Sequence, residues 1–126
     1  MSVRKILVVD DDMQMRRVLR SSLRANGYEV ISAASGEEAV AQFRRDSFDL
    51  VLLDLNLPGF DGLETCRILR THSRVPIIIV SVRDSQMDKA SARRAGANSY
   101  ITKPFGIEEL LAHISELNQK MTEPNC

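Results

Sequence analysis

The chain alternates short, continuous apolar runs with segments whose apolar residues recur every three or four positions. The continuous runs predict buried strands, and a helical spacing between them predicts amphipathic helices. The predicted strands are KILVV (5–9), EVISA (29–33, the weakest pattern), DLVLLD (49–54), PIIIVS (76–81) and NSYIT (98–102). The predicted helices carry Met15, Val18, Leu19 and Leu23 up to a stop at Asn26-Gly27, and then cover 36–43, 63–69, 87–95 and 107–117.

Five strands that alternate with five helices predict an α/β fold in which a doubly wound parallel sheet is covered on both faces. The runs KILVV, DLVLLD and PIIIVS are apolar at most positions, as expected when both faces of a sheet are buried. The segment NLPGFDG (56–62) predicts a loop because of its proline and glycines. No internal repeat or linker interrupts the pattern, so 126 residues predict one domain.

The composition excludes several classes of protein. Seventeen Lys and Arg balance seventeen Asp and Glu, so net charge indicates neither a nucleic-acid nor a membrane partner. The apolar stretch Ile6–Val9 is too short for a signal peptide, and we expect a cytoplasmic protein. Two cysteines make no disulfide framework or metal site: Cys66 is expected to be a buried small hydrophobe, and Cys126 a free thiol at a frayed end.

Polar side chains follow four of the predicted strands, at the point where each strand ends. They are Asp10-Asp11, Asp54, Ser81 and Lys103. Ligands of open α/β sheets bind outside the carboxyl ends of the strands, so these groups are expected to converge on one pocket if the strands lie side by side. Three carboxylates, a hydroxyl and an ammonium predict a site for a hard cation beside a phosphate-sized gap.

At these positions the sequence resembles the receiver domains of two-component response regulators, which have a flavodoxin-like fold. The matching motifs, in the same order and spacing as in the family, are VVDDD (8–12), LLDLNLPGFDG (52–62), IIIVS (77–81) and YITKPF (100–105). The resemblance covers residues 4 to about 118. It implies strand order 2-1-3-4-5, a receiver domain over 1–120 and a polar tail or linker start over 121–126.

The resemblance implies a role for each pocket residue. Asp54 is expected to accept a phosphoryl group from the phosphohistidine of a sensor histidine kinase. Asp11, Asp54 and the backbone carbonyl of Asn56 match direct ligands of Mg²⁺, and Asp10 matches the acid that holds the metal through water. Lys103 is expected to contact the phosphoryl oxygens, and Ser81 to donate a hydrogen bond to one of them. The resemblance therefore implies that the domain catalyses its own phosphorylation and dephosphorylation and has no separate enzymatic activity.

The resemblance also implies a conformational switch. Ser81 is expected to move toward the phosphoryl group while Tyr100 rotates inward behind it, and the Lys103-Pro104 bond is expected to be cis. Output to an attached domain or target protein is expected through the fourth helix, fifth strand and fifth helix (about 85–118), with no direct contact to nucleic acid or membrane. Some receivers carry an acidic pair just before the tyrosine and use it in salt bridges between the two copies of a dimer. This chain has Asn98-Ser99 at those positions. A phosphorylation-dependent homodimer is therefore in doubt rather than excluded.

Several residues also have simpler interpretations. Asp12 is expected to be the N-cap of the first helix, and Asp61 to bond its own backbone. A tyrosine at such a position, taken alone, is more often a half-buried strand aromatic than a switch, and Tyr100 has both interpretations. His72 and His113 are expected to be surface or packing residues, and Arg93-Arg94 to form part of a solvated face.

Three positions beside the pocket depart from the family or vary within it. Receivers usually carry Ala or Gly after the switch hydroxyl, where this chain has Val82. Asn56 and Arg83 occupy flanking positions that tune the phosphoryl lifetime. Asn56 also argues against the alternative function, a Mg²⁺-dependent phosphatase or phosphotransferase with an aspartyl nucleophile, because that class needs a second acid there. A third alternative is a flavin or nucleotide binder of the same topology. The sequence lacks the phosphate-binding loop that such a protein needs after its first strand.

Overall fold

The structure, a computed structural model, describes residues 3–57, 59 and 61–122. The chain alternates strand and helix throughout. The strands are β1 (Lys5–Val9), β2 (Glu29–Ala33), β3 (Leu50–Leu53), β4 (Ile77–Ser81) and β5 (Ser99–Thr102). The helices are α1 (Met13–Ala25), α2 (Gly36–Arg45), α3 (Gly62–His72), α4 (Gln86–Ala95) and α5 (Ile107–Thr122).

The five strands form one parallel sheet in the order β2-β1-β3-β4-β5. This confirms both the predicted fold class and the strand order that the family resemblance implied. In the register of β1 with β3, Val9 lies opposite Leu53, so the two strands end side by side. The chain reverses its order of strands between β1 and β3, and it is at such a reversal that a ligand pocket opens in this kind of sheet.

Each face of the sheet has its own apolar core. On one face, Ala39 of α2, Leu69 of α3 and Ala92 of α4 pack against the sheet. On the other face, α1 contributes Leu23 and α5 contributes Ile114. Strands β1, β3 and β4 are buried along almost their whole length because helices cover both of their sides. The continuous apolar runs in the sequence reflect this double burial.

Helix boundaries follow from local hydrogen bonding. Asp12 caps α1 by accepting a hydrogen bond from the backbone N–H of Gln14, which confirms the predicted N-cap. Asp61 bonds the nearby backbone, as predicted, and it does so as the N-cap of α3 by accepting from Glu64 N–H. Gly96 ends α4 in the left-handed region at φ 111°, where a glycine is favoured.

Some boundaries and orientations differ from the sequence prediction. Helix α2 continues to Arg45, and α5 continues to Thr122, beyond Leu117 and into the predicted tail. Val18 fits the apolar spacing of α1, yet 58% of its surface is exposed. Cys66 is buried, as predicted, whereas Cys126 lies outside the described residues. The Lys103-Pro104 bond is cis. No helix in residues 3–57, 59 and 61–122 combines the length and apolar character of a membrane span.

Candidate metal centre

The polar groups predicted to converge are held at one edge of the sheet by the last bonds of the strand ladders. The backbone N–H of Asp10 donates to the carbonyl of Ala33 (3.1 Å), and that of Asp54 donates to the carbonyl of Val9 (3.0 Å). The N–H of Lys103 donates to the carbonyl of Ser81 (2.8 Å). The backbone of these residues is therefore fixed by the sheet itself.

Three carboxylates meet at this edge. Asp10, Asp11 and Asp54 each offer an oxygen, and these oxygens lie within 4.8 Å of one another. Asp10 is 3% exposed and Asp54 6%, while Asp11 is exposed to solvent. Oxygen ligands with one open side suit a hard divalent cation that keeps part of its water shell, such as Mg²⁺. The donor set therefore fits the cation implied by the sequence.

Lys103 joins two of the three acids. Its Nζ lies 2.9 Å from Asp10 Oδ2 and 3.0 Å from Asp54 Oδ2. Burial by itself lowers the pKa of Lys103, but the hydrogen bonds to Asp10 and Asp54 outweigh that effect, and the pKa lies above its ordinary value. The ammonium group therefore stays charged and offsets part of the repulsion between the carboxylates.

The surroundings of Asp54 perturb its carboxylate. Burial raises its pKa, because the surroundings solvate the charged form poorly. The backbone N–H of Asn56, 3.0 Å from Asp54 Oδ1, opposes this rise, as does Lys103, while the charge of Asp10 adds to it. The negative charge of buried Asp54 therefore depends on cationic neighbours. Such a carboxylate is suited to bind a cation, or to react with a group whose negative charge a cation offsets.

The loop that carries Asp10 and Asp11 is braced from α1. Asp10 Oδ1 accepts a hydrogen bond from the N–H of Asp12 (2.9 Å), and Arg16 Nη1 donates to the carbonyl of Asp10 (2.8 Å). The bond from Asp12 orients the Asp10 carboxylate, and the bond from Arg16 holds the Asp10 backbone, both without any ligand. The bracing role of Arg16 was missed at the level of sequence, because an arginine in the first turns of a helix carries no specific signal.

Ser81 and Tyr100 are connected through the segment that follows β4. The hydroxyl of Ser81, fully buried, accepts a hydrogen bond from the N–H of Arg83 (3.2 Å). The hydroxyl of half-buried Tyr100 donates to the carbonyl of Arg83 (2.7 Å), and burial raises the pKa of this phenol. Both predicted switch residues thus contact the same residue. Val82 lies between Ser81 and Arg83 in the chain, and 62% of its surface is exposed.

Gly62 also belongs to the site, although its sequence context predicted only a loop. A Cβ built on Gly62 would lie 2.2 Å from the carbonyl oxygen of Asp54 and 2.6 Å from Leu55 Cα. The N–H of Gly62 donates to the carbonyl of Leu55 (3.0 Å). The start of α3 can therefore lie directly against the Asp54 backbone only without a side chain. A glycine directly after a capping aspartate, in PGFDG, was the available signal.

The remaining candidate residues lie away from the pocket. His72 is exposed at the end of α3, and Nδ1 of His113 lies 2.7 Å from Ser99 Oγ. Arg93 and Arg94 are exposed on α4. These placements agree with the predicted surface and packing roles.

Comparison with known proteins identifies the family. The family model for the response regulator receiver domain matches residues 6–115, which is most of the chain. The chain belongs to this family. A probable transcriptional regulator from Porphyridium aerugineum, ycf27, is 43% identical to this chain over 121 residues, which cover 96% of this chain and 50% of that protein. The chain thus spans about half the length of this relative.

Solved receiver structures share the fold over nearly the whole chain. The receiver domain of Francisella response regulator 1452 has a TM-score of 0.88 and 31% identity, covering 94% of this chain and 99% of that one. The BeF3-activated N-terminal receiver domain of Klebsiella pneumoniae RstA has a TM-score of 0.86 and 34% identity, covering 91% and 97%. The protein is therefore a signalling domain of two-component systems.

Proposed function

We propose that this receiver accepts a phosphoryl group on Asp54 from the phosphohistidine of a sensor histidine kinase, and that the modification controls an output domain or partner. The observation that carries the proposal is the cluster of Asp10, Asp11 and Asp54 with Lys103 bonded to two of them. Asp54 supplies the nucleophile, and the surrounding charges suit a transferred phosphoryl group.

The acid cluster is proposed to hold Mg²⁺. Asp11, Asp54 and the backbone carbonyl of Asn56 would bind the ion directly, and Asp10 would hold it through water. Bound there, the ion would supply positive charge to neutralise the oxygens of the phosphoryl group. Asn56 is exposed two residues after Asp54, and its N–H already bonds the Asp54 carboxylate, which supports a close approach of its backbone.

In the transfer step, a carboxylate oxygen of Asp54 attacks the phosphorus while the bond between phosphorus and the histidine nitrogen of the kinase breaks. The electron pair of that bond stays with the imidazole, and an acyl phosphate forms on Asp54. Lys103, bonded to Asp54 Oδ2 at 3.0 Å, is already within reach of the phosphoryl oxygens and would contact them as a positive charge. Hydrolysis by water restores the carboxylate, so no separate enzymatic activity is needed.

Ser81 and Tyr100 are proposed to transmit the change. The Ser81 hydroxyl would leave its bond with Arg83 N–H to donate to a phosphoryl oxygen. Since the Tyr100 hydroxyl bonds the carbonyl of the same Arg83, a movement of this segment would free the ring to rotate inward. The phosphorylated state would then be a shift in the population of two conformations.

We further propose that residues 1–120 form the receiver in the cytoplasm and that output passes through α4, β5 and α5. The coverage of half of a longer transcriptional regulator supports an attached output domain, as does the N-terminal position of the RstA receiver. This face, rather than a nucleic-acid or membrane contact of the receiver itself, would bind the output partner. Asn98-Ser99 carries no charge for ion pairs between two copies. A homodimer across this face would therefore need other contacts.

The test is intact mass spectrometry after incubation with acetyl phosphate and Mg²⁺. We expect one added phosphoryl group on the wild-type chain and none on Asp54→Asn, because Asp54 has both the acid cluster and Lys103 beside it. Asp84→Asn, the same change at an exposed aspartate outside the pocket, is the matched control and should be labelled like wild type. A label that persists in Asp54→Asn would place the acceptor elsewhere and refute the proposal.

A further inference from the structure

Helix α1 carries an unusual concentration of positive charge. Its 13 residues, MQMRRVLRSSLRA, include four arginines and no Asp or Glu. The chain as a whole is balanced, with a formal net charge of zero. One helix therefore presents a strongly basic surface on a molecule whose other residues are net acidic, and the phosphorylation chemistry proposed above makes no use of most of it.

Three of these arginines line one groove. Arg17, Arg20 and Arg24 lie at helical spacing on α1, and with Ser21 and Ala25 they line a shallow groove that is open to solvent. The fourth, Arg16, bonds the carbonyl of Asp10 instead.

Two of the groove arginines are held in place by the edge strand. Arg20 Nη2 donates to the hydroxyl of Ser32 (2.6 Å), and Arg24 Nη2 donates to the carbonyl of Val30 (3.2 Å). Each guanidinium has five N–H donors, so most donors of both remain available. Side chains that are already ordered lose less conformational entropy when a ligand binds.

The groove lacks acidic partners. In the described part of the chain, no carboxylate forms a salt bridge with Arg17, Arg20 or Arg24. The Nε of Arg20 is buried and has no hydrogen-bond acceptor among the described residues. A buried donor without an acceptor is unfavourable. The Arg20 guanidinium thus has hydrogen-bonding capacity that no described residue uses.

We propose that this groove binds a small polyphosphate anion. Planar guanidinium groups match the oxygens of phosphate through paired hydrogen bonds. One turn of helix separates Arg20 from Arg24, about 6 Å along the axis, so a single carboxylate contacts one of them, whereas linked phosphoryl groups reach both. Two sources share this chemistry: inorganic polyphosphate and the phosphate tail of a nucleotide. The site is separate from the Asp54 pocket and does not depend on its function.

Isothermal titration calorimetry of the full chain, in buffer with EDTA at fixed ionic strength, tests the proposal with three probes. Tripolyphosphate and ATP should bind saturably, and adenosine should not. Equal affinity for the first two assigns recognition to the phosphates, and tighter binding of ATP assigns the groove to nucleotides. Amide shifts in two-dimensional NMR should change along α1 and β2. The absence of saturable binding by both anions at millimolar concentration would overturn the proposal.

The matched variants are Arg17→Gln/Arg24→Gln and Arg93→Gln/Arg94→Gln, which remove equal charge from α1 and from exposed positions on α4. We expect the first to weaken binding by at least about tenfold through lost charge-assisted bonds, and the second to leave it within about twofold, since the exposed arginines lie outside the groove. The affinity of Arg17→Lys/Arg24→Lys should lie between those of wild type and the first variant, because lysine keeps the positive charge but lacks the paired N–H donors of a guanidinium. Equal weakening by both glutamine variants would mean nonspecific attraction and refute the site.

Discussion

Lys103 gives the pocket its character at the scale of single residues. Its ammonium group bonds two carboxylates that would otherwise repel each other at close range. The resemblance to receivers implied a contact between Lys103 and phosphoryl oxygens, and the structure adds a contact between Lys103 and the unmodified acids. The same positive charge can thus serve both forms of the protein, with a change of partner rather than of position.

The structure decides whether the side chain of Val82 packs in the core or lies at the surface beside the pocket. A valine packed in the core is excluded by its 62% exposure. Its branched side chain restricts χ1, and it directly follows Ser81, so we expect it to hinder the approach of water and small phosphodonors. Val82→Ala should therefore speed phosphorylation by acetyl phosphate, hydrolysis of the phosphoprotein, or both, as measured by intact mass against time.

Met87→Ala is the control for that experiment, since Met87 is also apolar and exposed but lies on α4. It should leave both rates unchanged. Rates of Val82→Ala equal to wild type, in a folded protein, would show that Val82 does not limit access to Asp54.

Cys66 predicts a pH dependence of stability. Burial raises the pKa of its thiol, which donates a hydrogen bond to the carbonyl of Ala95 (3.4 Å). The native state then holds the proton at pH values where the unfolded thiol, with a pKa of about 8.5, has lost it. The free energy of unfolding should therefore fall as pH rises above about 8.5, as measured by urea denaturation of Cys126→Ser between pH 7 and pH 10.

The comparison that isolates this effect is Cys66→Ala/Cys126→Ser over the same pH range. Removal of the thiol should make the alkaline decline shallower. Identical slopes for the two proteins would show that Cys66 does not ionise on unfolding in that range.

At the scale of elements, the strands were the most predictable part of the fold. β1, β3 and β4 are buried on both faces and are apolar at most positions, so their sequence signal is nearly continuous. Helices were found from spacing, but their ends were not: α5 runs past Leu117 because its backbone bonds continue after the apolar spacing ends. Val18 shows the other limit, since one apolar residue in a helical pattern can face solvent.

Arg70 shows what spacing cannot reveal about contacts between elements. From α3 it donates to the carbonyls of Gly96 (2.6 Å) and Val75 (2.7 Å) and to Asn98 Oδ1 (2.9 Å). It thereby joins the ends of α3 and α4 to the starts of β4 and β5. An arginine in a helix carries no sequence signal for such a role, since the acceptors include backbone groups distant in the chain.

The elements α4, β5 and α5 are expected to respond to activation. Tyr100 lies on β5 and bonds Arg83 just before α4, so a change at Ser81 reaches these elements through short contacts. Addition of beryllofluoride and Mg²⁺ should change amide NMR shifts of residues 85–118 beyond those of the pocket. Mg²⁺ alone is the control and should affect the pocket loops only. Changes confined to α1 would contradict this output path.

At the scale of the whole molecule, the pocket was predictable because topology determines it. Once the strands are parallel, polar residues at their carboxyl ends meet at one edge, and the strand order implied by the family resemblance groups Asp10, Asp54, Ser81 and Lys103. The supports of the pocket were not predictable. Gly62 and Arg16 act through backbone contacts, and their residue types do not distinguish a bracing role from an ordinary one.

Mg²⁺ is expected to stabilise the whole fold, because the carboxylate cluster exists only in the native state. An ion at 100 times its dissociation constant adds about 2.7 kcal/mol to the free energy of unfolding. Thermal melts with and without Mg²⁺ should show an upward shift for wild type and for Asp84→Asn, but little or none for Asp11→Asn. A shift of equal size in Asp11→Asn would mean that the ion does not bind at this cluster.

The hydrogen bond from Arg24 to the carbonyl of Val30 also bears on how copies of the molecule behave toward one another. Strand β2 ends the sheet on one side, and an uncovered outermost strand can template intermolecular β-pairing and aggregation. Here arginines of α1 lie along that strand, bonded to one of its carbonyls and to the Ser32 hydroxyl. Fibril-like growth from this side would first have to displace them and bring like charges together. The same helix that covers the core thus protects the protein against self-polymerisation.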